Sequence, residues 1–221
     1  MSVILNIETA TKNCSVSLAQ NGNTIVCKQI SGEGYSHAEK LHVFIEQVVS
    51  ESGKSFVDVD AIAVSRGPGS YTGLRIGVSA AKGLCYALGI PLIAVDTLKI
   101  LAAQANVKDG VIIPMLDARR MEVYSAIYSS DLTEIRETRA EIITADSFSE
   151  ISGNAYLLGD ANEKCKTELR NPNFIFLDDA VFPSADEMSA LSFQKFENTE
   201  FEDVAYFEPF YLKDFVLNQK R

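Results

Sequence analysis

The apolar positions along the first fifty residues change from a strand period to a helical one. The run "VILNI" is continuously apolar, and "CSVSLAQNGNTIVCKQI" alternates apolar and polar residues around Asn21-Gly22, a dipeptide typical of hairpin turns. Between Ser36 and Ser50 the apolar spacing becomes helical, which predicts an amphipathic helix capped by Ser36. Its apolar positions are Leu41, Phe44, Ile45 and Val48. Three strands therefore precede the first helix.

The rest of the chain alternates strands with helices. "DVDAIAVS" predicts a strand that leads through a glycine loop into a helix from Ser70 to Leu88, ended by Gly89. "IPLIAV" predicts a strand and "DTLKILAAQA" a helix, and "VIIPMLDA", "EVYSAIYS" and "TEIRETRAEII" predict three more strands. "ADSFSEI", "NEKCKTELR" and "ADEMSALSFQKF" read as helices, with "AYLLGD" and "FIFLD" as strands and Ser184 and Glu187 at capping-box spacing. This order predicts a mixed α/β fold of two related lobes.

Charge and cysteine content narrow the class of protein. The formal net charge of −10 disfavours binding of a nucleic-acid backbone by this chain alone. The four cysteines are scattered without a Cys-x-x-Cys pair, which favours reduced thiols. The N-terminus lacks the basic region of a signal peptide, and no apolar stretch approaches the roughly 20 residues of a membrane span. We expect a cytoplasmic protein without membrane segments.

The glycine loop from Gly67 to Gly73 invites comparison with phosphate-binding loops. Its last glycine comes one position too late for G-x-G-x-x-G, and no Walker lysine follows. Gly67 and Gly69 either allow a tight turn or, less favoured, leave the N–H groups of the next helix open to an anion. In "IETAT", Glu8, Thr9 and Thr11 lie where sugar kinases and actin-like ATPases have their first phosphate loop, or the threonines simply hydrogen-bond their own turn.

The helix after the loop carries rows of small residues. Gly73, Gly77 and Ala81 follow one another at intervals of four, and Ala80 and Gly83 belong to a second row. Arg75, Ser79, Lys82 and Tyr86 form a narrow polar stripe. A helix so largely apolar is covered either wholly within its own chain or in part by another chain. Neither H-E-x-x-H nor G-x-S-x-G occurs, so hydrolase chemistry has no support in the motifs.

Four segments together resemble the bacterial TsaB (YeaZ) family. These segments are "ILNIETATKNCSVSL", "SHAEKLHVFIEQVV", "AVSRGPGSYTGLRIGVSAAKGL" and "LDARRMEVYSAIY", and "EPFYLK" near the end is again similar. The resemblance implies a two-lobed actin-like ATPase (ASKHA, ribonuclease H-like) fold, each lobe a mixed sheet flanked by helices. It places residues 1–103 in the first lobe and 104–207 in a smaller second lobe, with 208–221 packing back on the first.

The resemblance also implies a function. TsaB is a non-catalytic partner of its paralogue TsaD and of the ATPase TsaE in threonylcarbamoylation of the adenosine beside the tRNA anticodon. TsaD carries metal-binding histidines in a segment that here reads Val95 to Leu101, with Thr97 and Leu101 at the ligand positions. Leucine cannot coordinate a metal. We therefore expect no metal, no firmly bound cofactor, ATP or ADP only at the interface of the complex, and tRNA contact only through the complex.

The predicted partner interface lies on the two helices of the first lobe, and serves a homodimer in isolation and TsaD in the complex. Its residues are Leu41, Ile45, Gly73, Leu74, Arg75, Gly77, Val78, Ser79, Ala80 and Lys82. The alternatives are a nucleotide-binding ATPase that uses Glu8, Thr9, Thr11, Gly67 and Gly69, and an M22-type peptidase.

Overall fold

The computed structural model describes residues 1–32 and 37–213, which contain two five-stranded mixed sheets. The first sheet is formed by β1 (Val3–Glu8), β2 (Asn13–Gln20), β3 (Asn23–Ser31), β4 (Ala61–Ser65) and β5 (Leu92–Val95). Its strand order is β3-β2-β1-β4-β5, with β1, β2 and β3 antiparallel and β4 and β5 parallel to β1. The hairpin at Asn21-Gly22 explains the antiparallel part, and helical connections allow the parallel part.

The second sheet repeats this plan. It is formed by β6 (Val111–Asp117), β7 (Glu122–Ser129), β8 (Glu134–Ile142), β9 (Ala155–Leu158) and β10 (Phe174–Leu177). The order is β10-β9-β6-β7-β8, with β6, β7 and β8 antiparallel and β9 and β10 parallel to β6. This is the pair of related mixed sheets that the sequence predicts.

Helices cover both faces of the first sheet. The helices of the described residues are α1 (His37–Glu51), α2 (Tyr71–Leu88), α3 (Thr97–Ala102), α4 (Asn162–Cys165) and α5 (Ala185–Glu197), with a 3₁₀ turn at Phe56–Asp58. Of these, α4 packs with the second sheet. On one face α1 and α2 lie side by side and share an apolar cluster with the strands, to which Leu41, Val48 and Cys85 belong. None of the helices in the described ranges is long and apolar enough to cross a bilayer.

The opposite face of the first sheet carries α5, through a contact that is partly polar. The amide of Asn6 in β1 donates to Ser189 Oγ at 3.3 Å and accepts from Ser192 Oγ at 2.6 Å. Ser17 Oγ donates to the carbonyl oxygen of Ala185 at 2.6 Å. Because these buried groups bond one another, a polar helix face is accommodated against the sheet. Placing all of residues 104–207 in the second lobe is therefore wrong, since α5 packs on the first.

Between the two sheets lies α3, which contributes to the cores of both lobes. Ile100 packs with Ile93 of the first sheet, whereas Leu98 and Leu101 pack with Leu158 of the second. All three α3 side chains are fully buried. A helix buried on both sides joins the lobes on this side of the molecule.

Several local predictions differ from the structure. "ADSFSEI" forms turns, not a helix, and "NEKCKTELR" forms only the single turn of α4. At the start of α5, Ser184 Oγ accepts from the N–H of Asp186, the second helical residue, and not from that of Glu187 as in a capping box. The predicted cap of α1, Ser36, lies outside the described residues.

Candidate functional site

The glycine loop is closed by contacts with its own chain. The N–H of Ser70 donates to the carbonyl oxygen of Ala10 at 2.6 Å, and a Cβ on Gly69 would lie 2.3 Å from the same oxygen. The N–H of Gly67 donates to Thr97 Oγ1 at 3.1 Å, and Gly67 has a φ of +114° that strongly favours glycine. The loop thus holds the turn between β1 and β2, here called the first turn, against the start of α3. The interpretation that Gly67 and Gly69 allow a tight turn accounts for this geometry.

The same first turn fills the space left by the small residues of α2. Thr9 Oγ1 donates to the carbonyl oxygen of Gly73 at 2.8 Å. A Cβ on Gly73 would lie 2.1 Å from Thr9 O, and one on Gly77 would lie 2.2 Å from Thr9 Oγ1. The idea that these two glycines make room for a partner helix is therefore wrong, because Thr9 of the same chain occupies that room.

Burial divides the predicted partner residues into two groups. Those that face the core of the same chain are Leu41, Ile45, Gly73, Leu74, Gly77 and Val78. As surface residues these six predictions are wrong, since all six are buried within the chain itself. Arg75 and Ser79 are exposed, and Ala80 and Lys82 are partly exposed. Whether the latter four contact a partner stays a prediction.

The exposed side of α1 and α2 bears apolar residues that the helical period alone did not single out as a site. Val43 of α1 is 45% exposed and Tyr86 of α2 is 88% exposed. Gly83 is exposed, and a Cβ on it would meet no atom within 4 Å. We call Val43, Ser79, Gly83 and Tyr86 the outer face. The sequence could have indicated this surface, because apolar or small residues occupy positions on the side of each helix that is opposite its buried residues.

Part of the polar stripe of α2 is bonded to the C-terminal part of the chain. Lys82 Nζ donates to the carbonyl oxygens of Ala205 and Phe207 at 3.1 and 3.0 Å. Arg75 Nε donates to Tyr211 Oη at 3.2 Å. Of residues 208–221, Phe210 and Tyr211 contact the first lobe and Lys213 contacts the second. Residues 214–221 fall outside the described residues.

A cleft of about 640 Å³ separates the lobes. Its first-lobe wall includes Thr11, Lys12 and the N-terminal residues of α2, and its second-lobe wall includes Arg119 and Asp160. Among the predicted nucleotide-contact residues, Thr11 and Gly69 line the cleft. Glu8, Thr9 and Gly67 are buried behind that wall and are not among its lining residues, so a direct nucleotide contact for these three is wrong.

Glu8 is a carboxyl group with no solvent exposure at the end of β1. Burial raises its pKa from 4.5 to about 7, against the opposing effect of the Ala10 N–H, which donates to Oε1 at 2.6 Å. In the described ranges Oε2 has no hydrogen-bond partner. The environment therefore favours the protonated carboxyl, which suits a structural role better than binding of a cation.

Residues that could hold a metal are not clustered. In residues 1–32 and 37–213, no group of three or more His, Cys, Asp or Glu side chains has the arrangement of a metal site. Thr97 and Leu101 are both fully buried, Thr97 bonded to Gly67 and Leu101 packed in the second-lobe core. Burial raises the pKa of Asp160 in the cleft, and the nearby Asp117 carboxylate adds to the rise.

Known proteins resemble this chain over nearly its whole length. A family model described as "TsaD: tRNA N6-adenosine threonylcarbamoyltransferase" matches residues 33–218. The tRNA threonylcarbamoyladenosine biosynthesis protein TsaB of Escherichia coli K12 is 31% identical, covering 98% of this chain and 97% of that protein.

Solved structures agree with this likeness. One, described as an uncharacterized protein with similarity to peptidase YEAZ from Pseudomonas aeruginosa, has a TM-score of 0.85 at 26% identity, covering 96% of this chain and all of that one. The ADPNP-bound activator of 2-hydroxyisocaproyl-CoA dehydratase from Clostridium difficile has a TM-score of 0.50 at 10% identity, covering 90% and 96% of the two chains, and shares the fold alone. The fold is the two-lobed actin-like ATPase type that the sequence predicts.

The contact between Thr9 and α2 predicts opposite effects for two glycine substitutions in the same helix. Gly73→Ala forces a Cβ onto the backbone of Thr9 and should lower the free energy of unfolding by about 1–3 kcal/mol. Gly83→Ala, at an open helical position, should raise it by about 0.5–1 kcal/mol. Urea unfolding followed by circular dichroism measures both; equal effects of the two substitutions would contradict the contact.

Glu8 predicts a pH dependence of stability. Because its pKa rises from 4.5 to about 7 on folding, its contribution is complete below pH 4.5 and is lost as the pH rises through 7. At about 1.36 kcal/mol per pKa unit, the loss is of the order of 3 kcal/mol. Glu8→Gln should remove this slope, whereas the exposed Glu150→Gln should retain it. Unfolding free energies between pH 4.5 and 8 test this, and an unchanged slope in Glu8→Gln would refute it.

Proposed function

The chain belongs to the TsaB family, and from that membership we propose that it is a non-catalytic subunit in tRNA threonylcarbamoyladenosine biosynthesis. Its partner would be the paralogous TsaD-type transferase, with the TsaE ATPase joining the complex. The net charge of −10 supports a division in which the partners supply the basic surface that contacts tRNA. In isolation the chain would form a homodimer through the surface it offers to TsaD.

The observation that carries this proposal is the outer face of α1 and α2. Tyr86 of α2 is 88% exposed and follows the open glycine Gly83 by three residues, and Val43 of α1 is 45% exposed. An exposed aromatic side chain of this kind is typical of an interface centre. The two helices are fixed side by side on one sheet face by their shared apolar cluster. A partner would therefore meet a preformed surface, which lowers the entropy cost of association.

The burial of three residues near the cleft supports a subunit that does not itself catalyse. Thr97 and Leu101 occupy the positions that the resemblance to TsaD assigns to metal ligands, and both are buried in the chain's own core. Glu8 favours its protonated form in a fully buried site. The peptidase alternative rests on the description of a similar structure, and the described residues contain no cluster that would hold a metal ion for it.

A second candidate function, nucleotide binding, is favoured by one observation. Lys12 and Arg119 lie on opposite walls of the cleft, and both side chains are exposed beside the N-terminus of α2. ATP or ADP would bind there in the assembled complex. Calorimetry with ATP, ADP and Mg²⁺ tests it on the chain alone and on the complex; no heat from either at millimolar nucleotide would remove this candidate.

Substitutions on the outer face test the main proposal without disturbing the core. Gly77→Leu is unsuitable for testing the partner surface, because any side chain at position 77 collides with Thr9. Tyr86→Glu and Val43→Glu should each weaken binding to the TsaD-type partner at least tenfold, about 1.4 kcal/mol, by placing a charge in an apolar contact. They should also reduce modification of tRNA in the reconstituted system.

The matched control is Ile142→Glu, which places the same charge at an exposed apolar residue, 67% exposed, on the second sheet. Calorimetric titration of each variant with the partner gives the dissociation constants. Wild-type affinity in both outer-face variants, or an equal loss in Ile142→Glu, would show that the partner binds elsewhere.

A further inference from the structure

Residues 201–213, here called the C-terminal strap, run along the first lobe beside the outer face. The N–H of Glu202 donates to the carbonyl oxygen of Leu92 at 2.9 Å, so the strap begins as a bridge on the edge strand β5. Val204 and Phe207 pack against the apolar cluster beneath α1 and α2. Lys82 of α2 then holds the strap by its two bonds to backbone carbonyls.

The strap also forms part of the surface that a partner on α2 would meet. Tyr206 is 84% exposed and lies between Ala205 and Phe207, the two residues whose carbonyls Lys82 binds. A protein docked on the outer face near Lys82 would therefore contact Tyr206. The strap and α2 present one continuous surface at this point.

Farther along, the strap reaches the cleft and crosses it. The N–H of Phe210 donates to the carbonyl oxygen of Arg66 at 2.7 Å. The ring of Tyr211 lies 4.9 Å from that of Tyr71, and the Tyr211 hydroxyl accepts a hydrogen bond from Arg75 Nε. Lys213 then forms an ion pair with Glu122 at the start of β7, in the second lobe. Phe210, Tyr211 and Lys213 all line the cleft.

Two of the contacts that join the lobes differ in strength. On one side α3 is buried in the cores of both lobes. Across the cleft, the strap joins the second lobe through an ion pair whose side chains are 39% and 27% exposed. A partly exposed pair of this kind contributes little and is readily broken, while a buried helix is not. The buried helix α3 is therefore the rigid connection between the lobes. The Lys213–Glu122 ion pair, here called the latch, is the weaker connection across the cleft.

We propose that the C-terminal strap couples the outer face of α2 to the opening of the cleft. A partner docked on α2 that takes the hydrogen bonds of Arg75 or Lys82 displaces the strap, which breaks the Lys213–Glu122 pair and widens the cleft. This inference rests on the proposed function for its partner. By linkage, loosening the latch also strengthens partner binding, since less of the binding energy is then used to displace the strap.

The latch is tested first on the isolated full chain. Spin labels at Asn23→Cys in β3, outside α1 and α2, and at Asn173→Cys in the second lobe report the distance between the lobes by pulsed electron paramagnetic resonance. Cys27→Ser removes the less buried thiol. Lys213→Glu should lengthen or broaden this distance, and Lys213→Glu with Glu122→Lys should restore it. An unchanged distance in Lys213→Glu, or failure of the charge swap to restore it, overturns the latch.

The coupling is tested by adding the TsaD-type partner to the same labelled chain while its affinity is measured in parallel. We expect the partner to lengthen the distance, to speed hydrogen exchange in residues 207–213, and to bind Lys213→Glu two- to fivefold more tightly than the wild type. Normal binding with no change in distance or exchange overturns the coupling and leaves the proposed function standing. Absence of any partner binding removes both.

Discussion

The contact of Thr9 with α2 is the constraint on which the first lobe depends. Thr9 begins the turn between β1 and β2, and its hydroxyl bonds the helix 64 residues away at Gly73. Only glycine at positions 73 and 77 lets the turn come this close. With its inner side fixed by Thr9 and by the strands, α2 presents one defined side to the solvent, and α1 packs beside it in the same cluster. The outer face is a consequence of that inner contact.

The glycine loop has a related purpose. Its sequence looks like a phosphate cradle, yet Gly67 and Gly69 serve close approaches to Phe210, Ala10 and Thr97 within the chain. The loop brings the first turn, α2, α3 and the strap to one point beside the cleft. The family model that matches this chain is described as a transferase. In this chain, however, the glycine loop serves to hold structural elements together.

Sequence reasoning could predict the elements but not which of them meet. The period of α2 and its end at Gly89 are local properties, and the helix runs to Leu88 as predicted. The burial of Leu41, Gly73 and Gly77 depends on contacts between distant segments, which periodicity does not report. The lobe bounds miss the packing of α5 for a similar reason, because the bonds of Ser192 to Asn6 and of Ser189 to Ser17 join segments that are far apart in the sequence. Tyr86 and Val43 could be read as notable only after the inner side of each helix was known.

The central claim is that α1 and α2 form the partner surface of this chain, and a hydrogen-exchange footprint of the assembled complex tests it most directly. Amides in α1, in the second half of α2 and in the 3₁₀ turn at Phe56–Asp58 between these helices should exchange more slowly when the TsaD-type partner is bound, while β8 and β10 of the second sheet should exchange at unchanged rates. Protection confined to the second sheet, with α1 and α2 unchanged, would contradict the account.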